Sequence, residues 1–217
     1  MALKVLWTHK ASGEAARALT PPEGVELRIV TDPEEASAAR DWPQVLVDGL
    51  PREEMLDGAA LERVVAPFAG LSAKLRAQVT ARPHLHVHNS HFNDAMVAQH
   101  VVALLLAVAN RVVWDDAALR RGDWGPSEDR DDGRGLFLRG KRALLLGYGS
   151  IAKAAAPALR ALGLELTAFR RRPTADAEVP QVGRDGLIEA LRQADAVVCS
   201  LPLTDDTRGL IGATELA

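Results

Sequence analysis

The chain has few of the features that mark several classes of protein. It contains a single cysteine, Cys199, among 217 residues. This scarcity excludes a disulfide framework and a cysteine-based zinc site, and it is typical of a reducing compartment. The segment after Met1 also lacks the long apolar stretch of a signal peptide. These absences together predict a cytoplasmic protein.

A strong excess of one charge is missing as well. The sequence has 26 Lys and Arg against 29 Asp and Glu, for a formal net charge of −3. This balance argues against a protein that is held on nucleic acid by phosphate contacts alone. Hydrophobic residues make up 47% of the chain, which is enough to bury a core and excludes a disordered chain. The length fits one large domain or two small ones.

Short apolar runs alternate with helix-compatible stretches in the first part of the chain. The runs are rich in Val and Leu and are bounded by Gly, Pro, Asp or Asn, as strands commonly are. Strands that alternate with helices predict a parallel sheet covered on both faces. The predicted strands span residues 3–8, 44–49, 63–70 and 84–89, and the predicted short helices begin at Pro33, Arg52 and Ser72.

A long helix is predicted for residues 93–111. Asn93 is a suitable N-cap, and Asp94 favours the first turn. All residues from 101 to 109 are apolar, and a helix that is apolar on every side is normally fully buried. Polar residues flank this run and leave it short of the about 20 apolar residues of a membrane span, so we expect a buried helix at a domain or subunit junction. The stretch that follows, residues 120–140, is dense in Gly and charge and predicts a surface excursion.

The sharpest motif is a glycine turn between a predicted strand, Arg142–Leu146, and a helix predicted to end near Gly163. The turn reads Gly147-Tyr-Gly149-Ser-Ile-Ala152, which is the G-x-G-x-x-A form of a dinucleotide-binding fingerprint. Gly147 permits the tight turn, Gly149 lets the backbone approach a pyrophosphate, and Ala152 lets the helix pack closely on the strand. The N–H groups that begin the helix would face the phosphates. The alternative is a glycine turn that binds nothing.

The end of the next predicted strand, residues 165–170, carries the signal for the type of cofactor. An NAD site usually has an acid there, about 20 residues past the glycine loop, which binds the ribose 2′-hydroxyl. This chain has Arg170, Arg171 and Arg172 instead, and no acid before Asp176. Arginines can pair with a 2′-phosphate through charge-assisted hydrogen bonds. The pattern favours NADP(H) over NAD(H), and a solvated basic turn is the alternative.

Four segments of the chain share one resemblance. They are LRGKRALLLGYGSIA, NDAMVAQHVVALLLA, ADAVVCSLPLTDDTRGLI (residues 194–211) and VVAPFAGLS (residues 64–72). Together they resemble the D-isomer-specific 2-hydroxyacid dehydrogenases, the group that contains phosphoglycerate dehydrogenase and the glyoxylate/hydroxypyruvate reductases. In that family the similar segments are, in the same order, the entry into the nucleotide domain, the hinge helix, the fourth nucleotide-domain strand with its loop, and the loop that holds the substrate carboxylate.

The resemblance implies a fold and a function. The fold would be α/β with two lobes: a flavodoxin-like substrate lobe over residues 1–92 and a doubly wound Rossmann nucleotide-binding domain over residues 93–217, apparently incomplete at the C-terminus. The function would be that of an oxidoreductase, a homodimer that transfers a hydride between NADP(H) and C2 of a small 2-hydroxy or 2-oxo acid. No nucleic-acid or membrane partner is expected. A non-catalytic dinucleotide sensor, like the C-terminal-binding corepressors, and a truncated nucleotide-binding fragment remain open alternatives.

The resemblance also implies roles for individual residues. The substrate carboxylate would be bound by backbone N–H groups of Ala69, Gly70 and Leu71. The cofactor would be bound by Ser90, Gly147, Gly149, Ser150, Ile151, Arg170, Arg171, Arg172, Pro202 and Thr207. The family's catalytic Arg, Glu and His fall beyond the position that aligns with Ala217, so the resemblance implies no catalytic residue within this chain.

A cluster of histidines is the remaining candidate for a metal or acid–base site. His84, His86 and His88 alternate onto one face of a predicted strand, and His91 follows. Three imidazoles could bind a divalent metal, but their ladder spacing, with no acid or cysteine close in sequence, favours an ordinary half-buried strand. We therefore expect no metal site here. Cys199 lies in a predicted strand, where we expect a small buried hydrophobic residue.

Overall fold

The computed structural model describes residues 1–10, 15–124, 135–174 and 178–216. The internal contacts divide the chain into two units, Met1–Phe92 (unit 1) and Asn93–Ala217 (unit 2). Each unit has a parallel β-sheet, which confirms the predicted α/β class. The middle of the predicted surface excursion lies outside the described residues, as does Asp176.

Unit 1 contains a five-stranded sheet with the order β2-β1-β3-β4-β5. Its strands are β1 (Leu3–Trp7), β2 (Val25–Ile29), β3 (Val45–Val47), β4 (Arg63–Ala66) and β5 (His86–Asn89). This is the flavodoxin-like order, in which the winding of the chain reverses between β1 and β3. All three residues of β3 are buried, because a central parallel strand is covered on both faces.

The helices of unit 1 begin where the sequence predicts them. Helix α1 (Pro33–Ala38) is capped by Asp32, whose Oδ1 accepts two backbone hydrogen bonds at 2.9 and 3.0 Å. Helix α2 (Ala73–Thr80) is capped by the Ser72 hydroxyl at 3.1 Å. The third predicted helix is a 3-10 helix, Glu53–Asp57, whose N-cap residue, Arg52, makes no side-chain capping hydrogen bond. The predicted short helix is therefore present, in the 3-10 form.

Strand β4 ends at Ala66 rather than at Gly70, and two further strand predictions in unit 1 need correction. Strand β2 was missed because polar residues, Glu26 and Arg28, alternate along it and lie exposed at the edge of the sheet, where they form an ion pair at 3.0 Å. Strand β5 begins at His86 rather than at His84. His84 therefore does not share a strand face with the other histidines.

Unit 2 contains a four-stranded parallel sheet with the order β8-β7-β6-β9. Its strands are β6 (Arg142–Leu146), β7 (Glu165–Phe169), β8 (Gln181–Val182) and β9 (Ala196–Cys199). In the order of the chain this is 3-2-1-4, which forms part of the doubly wound nucleotide-binding arrangement. Two helices, α3 (Asp94–Ala109) and α4 (Val112–Leu119), precede this sheet in the chain. The later helices are α5 (Ser150–Ala161), α6 (Leu187–Gln193) and the short α7 (Ala213–Leu216).

Strand β6 forms the centre of this sheet. Leu145 packs with Leu159 of α5 in one buried cluster, and Leu144 packs with Leu187 of α6 in another. Side chains that alternate along a strand point to opposite faces of the sheet, so β6 is covered on both sides. Its LLL run is therefore apolar throughout rather than alternating.

The long helix predicted for residues 93–111 is broken. Helix α3 (Asp94–Ala109) and helix α4 (Val112–Leu119) are separated by Arg111, whose backbone is left-handed at a φ of 56°. Asn93 occupies the cap position of α3, but its side chain makes no capping hydrogen bond. The predicted cap position is confirmed, whereas the prediction of a continuous helix was wrong.

Helix α3 is also less buried than expected. Among its residues only Ala98 and Ala109 are buried, whereas Leu104 and Val108 are 54% and 62% exposed. One face of the helix packs on the core of unit 2, and the opposite apolar face lies open. The chain itself therefore buries this helix only in part, and its predicted place at a domain or subunit junction stays a prediction.

The described residues contain no single helix with the length and apolar character that crossing a membrane requires. Helices α3 and α4 meet that test only as a pair, and they are bent by 59° at the break.

Candidate functional site

The glycine turn between β6 and α5 has the geometry that its sequence predicts. Gly147 has a φ of 92°, a left-handed conformation that L side chains rarely adopt. Its N–H donates to the Phe169 carbonyl at 3.1 Å, which ties the turn to the end of β7. A Cβ at this position would also lie 3.1 Å from Leu201 Cδ2. Glycine is thus required by the turn itself.

Gly149 leaves open space at the start of α5. It is the N-cap residue, with extended backbone, and an ideal Cβ built on it would meet no atom of the described residues within 4 Å. The first N–H groups of a helix point out of its N-terminal end, and here they belong to Ser150 and Ile151. Open space beside these donors forms a site suited to a phosphate.

The rest of the turn belongs to the core of unit 2. Ala152 is 1% exposed and packs α5 closely against the sheet, as the motif requires. Tyr148 is buried in the same cluster, and this burial raises the pKa of its phenol. The Tyr148 side chain therefore anchors the turn in the core, while Gly149 leaves open space at the start of α5.

The three arginines lie at the end of β7, at the same edge of the sheet as the glycine turn. The Arg170 N–H donates to the Val182 carbonyl at 3.0 Å, and its side chain is half-buried. Arg171 Nη1 lies 3.0 Å from Asp206 Oδ2, with both side chains largely exposed. Because β6 lies between β7 and β9, this ion pair crosses the end of β6 where the glycine turn begins. No sequence motif indicated this use of Asp206.

The hydroxyl of Thr207 makes hydrogen bonds that fix the conformation of the loop after β9. Thr207 Oγ1 donates to the Pro202 carbonyl at 2.6 Å and accepts from the Thr204 N–H at 2.8 Å. The Thr207 side chain thus shapes the loop from within, a role that the family resemblance did not imply. Whether Pro202 and Thr207 also border a cofactor stays a prediction.

In unit 1, the loop after β4 contains the residues predicted to bind a carboxylate. Asn89 Nδ2 donates to the Ala69 carbonyl at 2.6 Å, and the Ser90 N–H donates to the Phe68 carbonyl at 3.2 Å. These bonds fasten the loop to the end of β5. Gly70 is exposed, with open space where a Cβ would stand. Asn89 was missed as a positioning residue, although an amide at the end of a neighbouring parallel strand was a usable signal.

The histidines of the cluster do not all lie in strand β5. His86 and His88 lie exposed in β5, and His91 Nε2 lies 3.3 Å from Asn89 Nδ2 beyond the strand. His84 precedes the strand and lies near Asp57, whose pKa is lowered chiefly by the hydrogen bond from Arg82 and least by the charge of His84. In the described ranges, no group of three or more His, Cys, Asp or Glu is placed to hold a metal ion.

Cys199 is exposed, and the prediction of a buried hydrophobic residue was wrong. Among the described strands, β9 pairs with β6 alone, so one of its edges is open. A groove of about 550 Å³ runs along this edge, with Leu104 and Trp114 on one side and Val197 and Cys199 on the other. A strand buried at the centre of a sheet would have covered this cysteine.

Asp195 fastens the start of β9 to the start of β6. Its carboxylate accepts from the Arg142 N–H at 2.8 Å and from Lys141 Nζ at 3.1 Å. The backbone hydrogen bond from Arg142, followed by the one from Lys141, holds the pKa of this carboxyl below its usual 3.8. The ionised form is therefore the one that the folded chain stabilises.

Acid should weaken this contact. A carboxyl whose pKa is lower in the folded state adds stability above its unfolded pKa and loses that contribution as the pH falls through its folded pKa. We expect Asp195→Asn to be less stable than wild type at neutral pH, and this difference to vanish as the pH falls below 3.8 towards the folded pKa. Urea unfolding over a series of pH values measures it. Asp185→Asn, which changes an exposed carboxyl of the same unit, is the control, and a constant deficit for Asp195→Asn at every pH would contradict the assignment.

Comparison with known proteins identifies the family. Residues 102–217 match the family model described as D-isomer specific 2-hydroxyacid dehydrogenase, NAD binding domain. The chain is 30% identical over 168 residues to a glycerate dehydrogenase from Methylorubrum extorquens, which covers 75% of this chain and 50% of that protein. It is 30% identical over 203 residues to a glyoxylate reductase from Thermococcus litoralis, which covers 90% of this chain and 59% of that protein.

Solved structures support the same fold. An NADPH-dependent glyoxylate/hydroxypyruvate reductase from Sinorhizobium meliloti, in complex with NADP and malonate, superposes with a TM-score of 0.73 at 22% identity, covering 100% of this chain and 67% of that one. The TT0316 protein from Thermus thermophilus superposes with a TM-score of 0.63 at 26% identity, covering 94% of this chain and 67% of that one. Both confirm the predicted architecture.

The matches cover only part of the length of the curated relatives. The chain spans about half the length of the curated relatives, 50% of the glycerate dehydrogenase and 59% of the glyoxylate reductase. The family model, however, matches more than half of this chain and includes the glycine turn, the arginines and the loop after β9. By its sequence and by the fold of its nucleotide-binding unit, the chain belongs to the D-isomer specific 2-hydroxyacid dehydrogenase family.

Proposed function

We propose that the protein is an oxidoreductase that transfers a hydride between NADP(H) and C2 of a small 2-hydroxy or 2-oxo acid. The observation that carries this proposal is the open glycine turn at the start of α5, with arginines beside it at the end of β7. Open space over Gly149 fits a pyrophosphate, and the N–H groups of Ser150 and Ile151 would bind its oxygens. When bound, the nicotinamide supplies the hydride.

The proposed substrate site is the loop after β4. Backbone N–H groups of Ala69, Gly70 and Leu71 would bind the substrate carboxylate, and the Asn89 amide fixes the loop through the Ala69 carbonyl. The names of the relatives, glyoxylate reductase and glycerate dehydrogenase, support a small acid of this class. In this proposal the residues of the chain bind and orient both reactants, and none of them is assigned as the catalytic acid or base. NADPH oxidation with glyoxylate and with hydroxypyruvate tests the reaction.

The choice of NADP(H) over NAD(H) rests on charge. Arg170, Arg171 and Arg172 occupy the position where an NAD site carries an acid for the ribose hydroxyl. Asp206 already neutralises part of this charge through Arg171. The remaining positive charge at the edge of the sheet therefore comes from Arg170 and Arg172, which we propose as the main ligands of a 2′-phosphate. The NADP complex of the Sinorhizobium meliloti structure is consistent with this choice.

A single substitution should reverse the preference. Arg170→Asp removes a guanidinium from the proposed phosphate site and adds an acid where an NAD site has one. We expect the affinity for NADPH to fall by about tenfold or more, the worth of one hydrogen bond to a charged group, while that for NADH is kept or increased. Fluorescence titration with each dinucleotide measures both affinities.

The matched control is Arg192→Asp, which makes the same change of charge on an exposed arginine of α6. It should leave the ratio of the two affinities unchanged. Tighter binding of NADH than of NADPH by the wild-type chain would contradict the proposed cofactor. An equal loss of NADPH affinity in both variants would show a general charge effect rather than a phosphate ligand.

The proposal also includes the oligomeric state of the protein and its cellular compartment. The exposed apolar face of α3, which includes Leu104 and Val108, supports association into a homodimer. A single exposed cysteine supports a reducing compartment such as the cytoplasm. Neither feature bears on the chemistry of the reaction.

A further inference from the structure

An ion pair spans the end of the sheet in unit 2. Arg171 follows strand β7, Asp206 lies in the loop after β9, and Arg171 Nη1 is 3.0 Å from Asp206 Oδ2. Strand β6 and its glycine turn lie between these two elements. The pair therefore joins the loops on either side of the proposed dinucleotide site, and it occupies one of the three arginines beside that site.

The loop that contains Asp206 has a fixed conformation. The Thr204 carbonyl accepts from the Thr207 N–H at 3.1 Å, and Thr207 Oγ1 accepts from the Thr204 N–H at 2.8 Å. These two bonds close a turn that includes Asp206. At the start of the loop, Leu201 Cδ2 lies 3.1 Å from the ideal Cβ position of Gly147. Asp206 is thus held in a closed turn whose loop begins against the glycine turn.

The ion pair is exposed enough to be exchanged for another. The Arg171 and Asp206 side chains are 76% and 65% exposed, and pairs exposed to this degree are weak because water and salt screen them. A phosphate monoester carries more charge than a carboxylate and has three strong acceptor oxygens for a guanidinium. A 2′-phosphate can therefore take Arg171 from Asp206.

The exchange has a cost that applies to only one of the two dinucleotides. To bind Arg171, the 2′-phosphate has to replace the carboxylate of Asp206 in the ion pair. The neutral 2′-hydroxyl of NAD(H) has no charge with which to replace that carboxylate, so the pair stays intact when NAD(H) binds. Asp206 thus opposes the preference that the arginines create.

We propose that Asp206 is a specificity-determining residue, which holds Arg171 in the free protein and lowers the affinity for NADP(H) but not for NAD(H). This inference rests on the proposed function, since it requires a 2′-phosphate to bind at the arginines. It adds an acid that limits how strongly the arginines favour NADP(H). The chain therefore binds NADP(H) less tightly than it would with all three arginines free.

Asp206→Asn tests the proposal because it removes the charge and keeps the size of the side chain. We expect the affinity for NADPH to rise about two- to fivefold, the worth of one exposed ion pair, and the affinity for NADH to stay the same. Fluorescence titration of the full chain with each dinucleotide measures both affinities. The gain should shrink as salt is added, because screening weakens the ion pair.

Two further variants show whether the effect acts through Arg171. Asp205→Asn removes the same charge from the adjacent exposed residue of the loop, and it should change the NADPH affinity less than Asp206→Asn does. In a chain that already carries Arg171→Gln, Asp206→Asn should give little of the gain, since the arginine that it frees is absent. The difference between the two gains is the coupling of the pair.

Three results would overturn the proposal: no gain in NADPH affinity for Asp206→Asn, an equal gain for Asp205→Asn, or an equal gain when Arg171 has been replaced. The proposed cofactor has its own test in Arg170→Asp. If Arg170→Asp loses NADPH affinity while Asp206→Asn gains none, the cofactor proposal stands and this one fails. If the wild-type chain binds NADH more tightly than NADPH, the cofactor proposal fails and this one fails with it.

Discussion

Gly149→Val is expected to remove most dinucleotide binding while the chain stays folded. Gly149 has extended backbone that valine can adopt, and no atom of the described residues lies within 4 Å of its ideal Cβ. The Cβ of a valine there would therefore have room among the described residues. Its methyl groups would fill the space that the pyrophosphate needs. Overlap of this kind costs about 1–3 kcal/mol, which corresponds to a loss of roughly 5- to 150-fold in affinity.

The measurement is a fluorescence titration with NADPH, combined with thermal unfolding of each variant. Stability should fall by no more than about 1 kcal/mol, the typical difference between good and poor cap residues. The control is Ala158→Val, which adds two of the same three carbon atoms on the exposed side of α5 and should leave binding unchanged. If Gly149→Val bound NADPH as wild type does, the pyrophosphate could not lie over this turn.

Leu145→Ala is expected to destabilise unit 2 by about 2–5 kcal/mol, the range for a buried leucine cut to alanine. Leu145 is 0% exposed and lies in the strand between β7 and β9, against the α5 residue Leu159. The substitution leaves a cavity at the point where the sheet and the helix of the glycine turn meet. Because nucleotide binding needs that turn in place, added NADPH should stabilise the variant.

Urea unfolding followed by circular dichroism, with and without NADPH, checks this expectation. The control is Val197→Ala in the edge strand β9, where the side chain is 47% exposed, so the loss should be well below that of Leu145→Ala. Equal losses from the two substitutions would show that β6 is not the centre of the core of this unit.

The nucleotide-binding element could be predicted residue by residue because its signals are local. Strand β6 has the predicted bounds, Arg142–Leu146, and helix α5 ends at Ala161, two residues before Gly163. Gly163 has a φ of 85°, which a helix terminus commonly requires and which glycine adopts without strain. Turn residues and apolar runs encode such features without any information from distant parts of the chain.

The features that the sequence did not predict depend on which other parts of the fold pack against them. Strand β2 alternates polar and apolar residues because it forms an edge, and an isolated VELRI segment does not reveal that position. The exposed face of α3 and the exposed Cys199 depend on which neighbours cover them. Composition reports that a segment can be buried, whereas burial itself is a property of the packed structure.

The same limit applies within the candidate site. The glycine turn and the arginines were found from spacing alone. The ion pair between Arg171 and Asp206 joins residues 35 positions apart, and the bond from Asn89 to the Ala69 carbonyl spans 20. Only the parallel pairing of the strands brings these groups together. Sequence motifs thus located the proposed ligand contacts, and the structure added the residues that hold them in position.

The most direct test of the account is a nitrogen-15 amide spectrum of the chain during titration with NADPH. We expect the largest shifts at Gly149, Ser150 and Ile151, where the pyrophosphate would bind, and further shifts at Arg170 and Arg172 that NADH does not reproduce. Shifts that avoid the glycine turn, or identical patterns with NADPH and NADH at the two arginines, would contradict it.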